Sequence, residues 1–416
     1  MRLLASDCQC EMQRSWRMMY RLGCNAPLDV DHTEARYGCG FVSYKVGVKK
    51  TVIDLFAGVG GLSLGAARAG FSVAAAVEID KHAAAAHALN FPSVQHIQED
   101  VAKLSGAKLL KISGIEPESL FCLIGGPPCQ GFSEMGHKKA SDPRNELFTH
   151  FFRLVSEIKP ICFVAENVPG ILSARNKPLI DVAFGLVRKD YTLLPPMKIT
   201  ASDYGAPTSR TRVFFIGHLK TSPFKITTAD FAPNSICPVL VGHALEGLPA
   251  IRPEWQTAEQ SWRRVKEMQP TEFSRKIIGE IPNGVGDPAA IDAYQGSKLV
   301  SGFLGTHHAE EIRARFKRLK AGQTDSISRA VKLDKLGFCP TLRAGTGPER
   351  GSYQAVRPIH PTSPRVITPR EAARLQGFPD WFQFHPTKWH SFRQIGNSVS
   401  PIVAEHIMRV LARKFV

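Results

Sequence analysis

The sequence has no long hydrophobic run, since no apolar stretch approaches the roughly 20 residues that a membrane-spanning helix needs. The amino terminus also lacks the pattern of a secretory signal peptide. The nine cysteines are an odd number and are scattered, which favours free thiols in a reducing compartment over a disulfide framework. Membrane-embedded and secreted classes are therefore excluded, and we expect a cytoplasmic protein.

Paired metal-ligand spacings are missing as well. The early cysteines, Cys8, Cys10, Cys24 and Cys39, have neither two paired spacings nor supporting histidines. The sequence therefore predicts no metal site.

Acidic residues are scarce in the last third of the chain. Residues 301–416 hold 19 lysines and arginines against 8 aspartates and glutamates, whereas residues 51–300 are close to neutral. A solvated basic face would explain this, but the concentration of charge in one third of the chain favours a polyanion partner.

The first glycine-rich turn lacks the third glycine of a dinucleotide site. Residues 51–56 predict a buried strand, residues 57–61 a glycine turn and residues 62–69 a helix, and a second strand over 71–77 ends at Glu78. This layout binds nucleotides, with the acid on a ribose diol. Because Gly58-x-Gly60 is followed by Ser63 where a glycine would stand, a nucleoside without a pyrophosphate, such as S-adenosylmethionine, fits better than NAD. A turn that serves only packing is the alternative.

A rigid turn with one cysteine follows another buried strand. The apolar run 120–124 predicts the strand, and residues 125–129 then read Gly-Gly-Pro-Pro-Cys. The prolines fix the backbone and hold Cys129 at the carboxyl end of the strand, where ligands bind in parallel sheets. A basic loop follows, up to residue 145. A structural cysteine is the alternative, but this setting favours a nucleophile.

A carboxylate and two arginines follow later strands. The strand predicted over 161–165 ends at Glu166, between an apolar approach and a proline turn, which raises a carboxyl pKa and suits proton donation. Arg210 and Arg212 share one face of an extended segment and suit a phosphate or a base edge. The alternatives are a helix cap or paired core charge for Glu166, and a salt-bridged pair for the arginines.

Beyond residue 218 the alternation of strands and helices breaks. Residues 218–365 lack clear periodicity apart from a basic helical run over 313–320. Thr368 then caps a helix that Pro369 opens, and residues 394–401 predict a turn before a last helix over 402–415.

Together these residues resemble the DNA (cytosine-5)-methyltransferases. The motifs occur in the family's order and cover residues 50–217 and 365–416. They are Asp54-Leu-Phe-Ala-Gly-x-Gly-Gly, Glu78, Asp100, Pro127-Pro-Cys-Gln130, Glu166-Asn-Val168, Arg210-x-Arg212, Arg370-Glu-Ala-Ala-Arg374-Leu-Gln-Gly-Phe-Pro-Asp380 and Gly396-Asn-Ser-Val399. The family usually has a glutamine where this chain has Thr208, which affects one polar loop contact and not the chemistry.

The resemblance implies roles for individual residues. Cys129 would attack carbon 6 of cytosine, Glu166 would stabilise the adduct at ring nitrogen 3, and the catalytic pair Arg210 and Arg212 would hold the base. The residues implied for S-adenosylmethionine are Phe56, Gly58, Gly60, Glu78, Ile79, Asp100, Pro128, Leu147, Asn397 and Val399. The residues expected at DNA are Ser133, Lys138, Lys139, Arg144 and Arg343.

The resemblance also implies the architecture. We expect an α/β fold: a Rossmann-like S-adenosylmethionine-dependent methyltransferase domain with a mostly parallel sheet, and a smaller, loop-rich target-recognition domain. The predicted boundaries are a poorly ordered extension over 1–47, a catalytic and cofactor domain over 48–217 completed by 388–416, and the recognition domain over 218–387.

The expected partner is double-stranded DNA, bound by a monomer, with a cognate restriction endonuclease acting on the same site. Three alternatives remain at this stage: a tRNA cytosine-5 methyltransferase, a catalytically inactive DNA-binding module, and a nucleotide-dependent oxidoreductase on the same fold. The last leaves the Pro128-Cys129 turn unexplained, and the second predicts a broken nucleophile or acid, whereas Cys129 and Glu166 are both present.

Overall fold

A mixed eight-stranded sheet forms the centre of the computed structural model, which describes residues 50–128, 146–223, 225–234, 236–279, 281–345 and 356–415. The strands are β1 (Thr51–Leu55), β2 (Ser72–Val77), β3 (Gln95–Ile97), β4 (Cys122–Gly125), β5 (Cys162–Asn167), β6 (Tyr191–Leu193), β7 (Met197–Thr200) and β8 (Thr211–Leu219). Their order is β3-β2-β1-β4-β5-β8-β6, and β7 also pairs with β8.

Strands β1 to β5 are parallel to one another, and β8 runs antiparallel to β5, β6 and β7. The predicted α/β class with a mostly parallel sheet is thereby confirmed. A separate two-stranded ribbon joins β9 (Arg263–Arg264) and β10 (Leu299–Val300).

Helices surround the sheet and fill the later part of the chain. Those among the described residues are α1 (Gly61–Arg68), α2 (Lys81–Asn90), α3 (Gly106–Ser113), α4 (Glu146–Ile158), α5 (Lys177–Val187), α6 (Val241–Ala244), α7 (Glu272–Ile278), α8 (Pro288–Ser297), α9 (Glu310–Arg318), α10 (Pro369–Gln376), α11 (Lys388–Asn397) and α12 (Pro401–Lys414). None of the helices in these ranges is long and apolar enough to cross a membrane.

Both faces of the sheet are covered, as its apolar strands require. Side chains alternate along β1, so that Ile53 and Leu55 join a core with α3, α4 and α5, whereas Val52 joins a core with α1, α2 and α12. Helix α4 presents its apolar residues, among them Phe148, Phe151 and Val155, to the first of these cores. Because both faces are buried, the chemistry is left to the sheet edge where the strands end.

Local signals account for the predicted helix starts. Thr368 accepts a hydrogen bond from the Glu371 N–H, and the Glu371 side chain accepts one from the Thr368 N–H. This capping box fixes the start of α10 at Pro369, as predicted. Arg374 of the same helix forms a fully buried pair with Asp380 at 2.6 Å, which holds the turn behind the helix.

One sequence prediction about the fold is wrong. Residues 394–397 were expected in a turn, but they form the last turn of α11. Gly396 lies against the backbone of Arg343 and Ala344, where a Cβ would approach within 2.8 Å. This long-range packing selects a helix that glycine and asparagine do not favour locally.

Candidate active site

The carboxyl ends of five neighbouring parallel strands place the predicted site residues in one row. In sheet order the row contains Asp100 after β3, Glu78 after β2, Phe56 after β1, Pro128 after β4 and Glu166 at the end of β5. Open α/β sheets bind their ligands at this edge. The sheet therefore brings together residues that are spread over more than 100 positions of sequence.

The turn after β1 has an unusual backbone that requires glycine. Gly58 and Gly60 have φ values of +57° and +100°, and Phe56 adopts a left-handed φ of +55°. Gly60 caps α1 without a side-chain hydrogen bond, and a Cβ on it would collide with the Phe91 ring. The turn thus presents backbone, and not side chains, at the start of α1.

Glu78 is tied to this turn. Its Oε2 accepts a hydrogen bond from the Gly58 N–H at 2.8 Å, and its Oε1 accepts one from the Asp80 N–H at 2.8 Å. Burial raises the pKa of Glu78, while these backbone hydrogen bonds lower it. The adjacent Ile79 is 63 % exposed, so an apolar surface lies beside a fixed carboxylate.

Asp100 stands at the other end of the row. Its Oδ1 accepts from the Ala102 N–H at 3.0 Å and caps a short 3-10 helix. Its side chain is half-buried, so it is accessible to the S-adenosylmethionine for which the resemblance implies it.

A buried polar chain lies behind the turn. Ser63 Oγ donates to Asp54 Oδ2 at 2.6 Å, His87 Nε2 lies 3.0 Å from Ser63 Oγ, and His87 Nδ1 lies 2.8 Å from His96 Nε2. Asp54 is fully buried, and its Oδ1 has no hydrogen-bond partner among the described residues. Burial raises the pKa of Asp54 to about 7, although the Ser63 hydrogen bonds lower it.

The carboxyl-terminal segment closes the row. A Cβ on Gly61 would meet Ser398 Oγ and the Val399 carbonyl, so this segment lies directly against the start of α1. Gln376 Nε2 donates to the Ser398 carbonyl at 2.7 Å and holds it there. Val399 is buried and Asn397 is exposed.

Glu166 lies against the Gly-Gly-Pro-Pro turn. A Cβ on Gly126 would be 3.4 Å from Glu166 Oε2, and Asn167 Nδ2 donates to the Pro127 carbonyl at 3.3 Å. Arg212 Nε lies 2.8 Å from Glu166 Oε1, within ion-pair distance, yet that oxygen has no aligned hydrogen-bond donor among the described residues. The Glu166 carboxylate is therefore held between the turn and the Arg212 guanidinium.

Two opposing effects set the protonation of Glu166. Burial raises its pKa, and the nearby Arg212 and Arg210 lower it, with burial the larger effect. A carboxyl group in this balance can hold a proton at higher pH than an exposed glutamate. Its 8 % exposure leaves little room for solvent.

The loop before β8 is anchored on the later part of the chain. Arg210 is buried and donates from Nη1 to the Leu342 carbonyl at 3.2 Å. Thr208, which replaces the family's glutamine, donates to the Cys339 carbonyl at 2.9 Å. Arg343, the residue after Leu342, is exposed.

Some predicted residues lie outside the described ranges. Leu147 and Pro128 are half-buried and flank the gap at 129–145. Cys129, Ser133, Lys138, Lys139 and Arg144 fall within that gap, so their roles stay predictions, as do the extension at 1–47 and the domain boundaries.

Sequence reasoning gave no role to three contacts that position the site. Asn167 fixes the proline turn, Cys339 anchors Thr208, and Gly61 admits the carboxyl-terminal segment. Asn167 and Gly61 lie within two of the quoted sequence motifs, and this position in a motif was a signal that could have identified them. Cys339 carried none.

Known proteins with similar sequences agree with this arrangement. The profile of the C-5 cytosine-specific DNA methylases matches residues 50–413. The type II methyltransferase M.XorII of Xanthomonas oryzae pv. oryzae is 40% identical over 370 residues, 87% of this chain and 85% of that protein. M.DdeI of Desulfomicrobium norvegicum is 33% identical over 386 residues, 85% of this chain and 86% of its own length.

Solved structures show the same fold. A prophage-encoded protein of E. coli, described as a DNA modification methyltransferase, is 52% identical with a TM-score of 0.80, and the match covers 88% of this chain and 99% of that one. The Dnmt2 methyltransferase of S. pombe is 18% identical with a TM-score of 0.55, covering 87% and 98%, and supports the fold alone. With a profile that spans most of the chain, this protein belongs to the C-5 cytosine-specific DNA methylase family and is a DNA (cytosine-5-)-methyltransferase.

Proposed function

We propose that the chain transfers a methyl group from S-adenosylmethionine to carbon 5 of a flipped-out cytosine in a short, specific sequence of duplex DNA. The observation that carries this proposal is the position of Glu166. It lies against the turn that leads to Cys129, its carboxylate is 2.8 Å from Arg212 Nε, and burial raises its pKa so that it can hold a proton.

The residues at the other end of the row fit S-adenosylmethionine. Each Glu78 oxygen accepts one backbone hydrogen bond and has a lone pair left for a ribose hydroxyl. The exposed Ile79 and the half-buried Phe56 offer apolar surface for a purine ring. Asp100 would accept from the adenine amino group, and Gly58, Gly60, Pro128, Leu147, Asn397 and Val399 would complete the wall. When bound, S-adenosylmethionine supplies an electrophilic methyl group on a sulfonium sulfur.

Cys129 and Glu166 would act together on the cytosine ring. The thiolate of Cys129 forms a bond to carbon 6 while the Glu166 carboxyl donates a proton to ring nitrogen 3, so the electron pair of the carbon 5–carbon 6 bond becomes available at carbon 5. Once carbon 5 has taken the methyl group, which would leave a neutral thioether on the cofactor, carbon 5 loses its proton to a base and the ring double bond re-forms. The Cys129 sulfur then leaves as the thiolate, and the Glu166 carboxylate takes back the proton from ring nitrogen 3. Atoms and charge then balance, and the enzyme is regenerated.

The arginines would set the electrostatics of this step. Arg212 and Arg210 lower the pKa of Glu166 against the effect of burial, so the group can both give and regain a proton. Positive charge near the turn also favours the thiolate form of Cys129. The catalytic set proposed is thus Cys129, Glu166, Arg210 and Arg212.

A stacked base cannot reach these groups, so the cytosine must leave the helix, at a cost of a few kcal/mol. We infer that residues 131–145 cover the flipped base, with Ser133, Lys138, Lys139 and Arg144 on the DNA. The domain over 218–387 would read the sequence and contribute Arg343, while 48–217 and 388–416 form the catalytic domain. The basic balance of residues 301–416 fits the phosphate backbone.

The biological setting follows from the relatives. M.XorII and M.DdeI are named type II methyltransferases, which suggests a restriction-modification role here, with a cognate endonuclease that cuts the same unmethylated site. We propose a monomer acting on DNA in the cytoplasm. A tRNA substrate is the second candidate, and the large basic recognition segment favours duplex DNA over it.

Methyl transfer tests the proposal directly. The full chain is incubated with tritiated S-adenosylmethionine and either a mixed-sequence duplex or tRNA, and the DNA product is read by bisulfite sequencing. Label at carbon 5 of cytosine in one short recurring DNA site is the expected result. Label on tRNA alone would show that tRNA, and not duplex DNA, is the substrate. No label on either nucleic acid, with the cofactor still bound, would refute the activity.

A further inference from the structure

Three histidines from two distant parts of the sequence meet at the start of α2, a few residues after Glu78. His82 lies in the first turn of α2, and His385 and His390 lie before and within the first turn of α11. The centroids of the His82 and His390 rings are 3.9 Å apart, those of His385 and His390 4.3 Å, and those of His82 and His385 4.9 Å. One ring nitrogen from each lies within 4.8 Å of the other two, and all three residues are half-buried.

Contacts that do not involve the imidazoles hold this cluster together. Arg393 Nη1 lies 3.0 Å from Asp80 Oδ2, and Gln394 Nε2 donates to the His82 carbonyl at 3.0 Å. Gln394 Oε1 accepts from the His385 N–H at 2.9 Å. These contacts thus position the backbones of the three histidines without using the imidazole nitrogens.

The hydrogen bonds of His385 select its ligand atom. Its Nδ1 accepts a hydrogen bond from the Thr387 N–H at 3.1 Å and lies 3.0 Å from Thr387 Oγ1. Nε2 is therefore the nitrogen left for an ion. Binding an ion there would move the ring proton to Nδ1, which would then donate to Thr387 Oγ1 and give up the hydrogen bond that it accepts from the Thr387 N–H. Partial burial lowers the pKa of His385 to about 4 and also lowers that of His390, with the neighbouring imidazoles adding to both shifts.

We propose that His82, His385 and His390 bind one divalent ion of the zinc, cobalt or nickel type. Three imidazole nitrogens without a carboxylate ligand suit these ions and not magnesium or calcium. A tetrahedral ion with three histidines and a water needs nitrogens about 3.4 Å apart, given metal–nitrogen bonds of about 2.0–2.1 Å. The ring nitrogens now lie within 4.8 Å of one another, so they must close by at most about 1.4 Å, which side-chain rotation allows at half-buried positions.

The site would join two walls of the cofactor pocket. His82 follows Glu78 and Ile79 by a few residues, and α11, which carries His390, ends at Asn397. An ion bound by both would fix these segments relative to each other and stabilise the fold by mass action. Any consequence of the ion for S-adenosylmethionine binding rests on the proposed function, whereas ion binding itself does not.

A cobalt titration separates this site from thiolate sites such as Cys129. The full chain without an affinity tag is stripped with chelator and titrated with Co²⁺, followed by absorption spectroscopy, and thermal unfolding is measured with and without Zn²⁺. We expect one ion per chain with ligand-field bands of a nitrogen and oxygen environment, without thiolate charge transfer, and a higher unfolding temperature with Zn²⁺.

Variants decide between coordination and mere packing of the rings. Loss of a residue that hydrogen-bonds to a metal ligand typically lowers metal affinity by roughly 10- to 100-fold. His390→Ala and His390→Gln remove a ligand itself, so they should weaken Co²⁺ binding by at least this factor and abolish the Zn²⁺ effect on unfolding. His307→Ala, an exposed histidine outside the cluster, should match the wild type. No binding by the wild type, equal binding by all variants, or a thiolate spectrum unchanged in His390→Gln would overturn the proposal. These readouts need no methyl transfer, so they stand apart from a failure of the proposed function.

Discussion

Replacing Asp54 by asparagine should change how the stability of the protein depends on pH. Asp54 is fully buried in β1, its Oδ1 has no partner among the described residues, and burial raises its pKa from 3.8 to about 7. Because the folded state holds the proton more tightly than the unfolded state, this group stabilises the fold most at low pH, and the contribution is lost as pH rises from about 4 to 7.

The magnitude follows from the shift. At about 1.4 kcal/mol per pKa unit, the ionised Asp54 costs roughly 4 kcal/mol of folding free energy once the pH passes about 7. Between about pH 5 and pH 7 the wild type should lose roughly 2 kcal/mol that Asp54→Asn keeps, because asparagine is neutral throughout. Any constant cost of the new amide cancels in this difference.

Urea unfolding of both proteins at several pH values measures the effect. Asp292→Asn, at an exposed aspartate, serves as the matched control and should follow the wild type. Parallel free-energy curves for the wild type and Asp54→Asn across this pH range would refute the assignment of a raised pKa to Asp54.

Three further predictions concern the site. Glu166→Gln should lower the methyl-transfer rate in single-turnover assays by roughly 10²- to 10⁴-fold with cofactor affinity unchanged, because it removes a proton donor and keeps the shape; an unaltered single-turnover rate would contradict this role. Gly61→Ala should weaken cofactor binding in calorimetry, since its Cβ would displace Val399, and unchanged affinity would show that this segment is not part of the pocket. Arg343→Ala should weaken binding to the target duplex and leave cofactor binding intact, and equal DNA affinity in gel-shift titrations would exclude it as a DNA contact.

Much of the catalytic fold could be predicted because its elements carry strong local signals. The strand over residues 51–56 and the helix that begins at Pro369 agree with the structure to within a residue or so. Buried parallel strands appear as short apolar runs, and a capping box marks a helix start, so sequence alone is sufficient there. The row formed by Glu78, Asp100 and Glu166 also followed, because strands of a parallel sheet end at the same edge.

Long-range packing explains what the sequence could not give. The last turn of α11 depends on Gly396 meeting the backbone of Arg343 and Ala344, a contact with no local signature. The pairing of Thr208 with Cys339 and the histidine cluster likewise join segments far apart in sequence. Residues 218–365 lack clear hydrophobic periodicity, so the sequence alone does not reveal such contacts there.

A covalent complex with Cys129 is the most direct test of the central claim. A duplex carrying 5-fluorocytosine at the target position permits attack at carbon 6 and methylation, but fluorine cannot leave as the proton does, so the sulfur stays bonded. We predict a denaturant-resistant protein–DNA complex that requires S-adenosylmethionine and is absent in Cys129→Ser. Methyl transfer by Cys129→Ser at the wild-type rate, or an equally abundant complex in that variant, would contradict the mechanism.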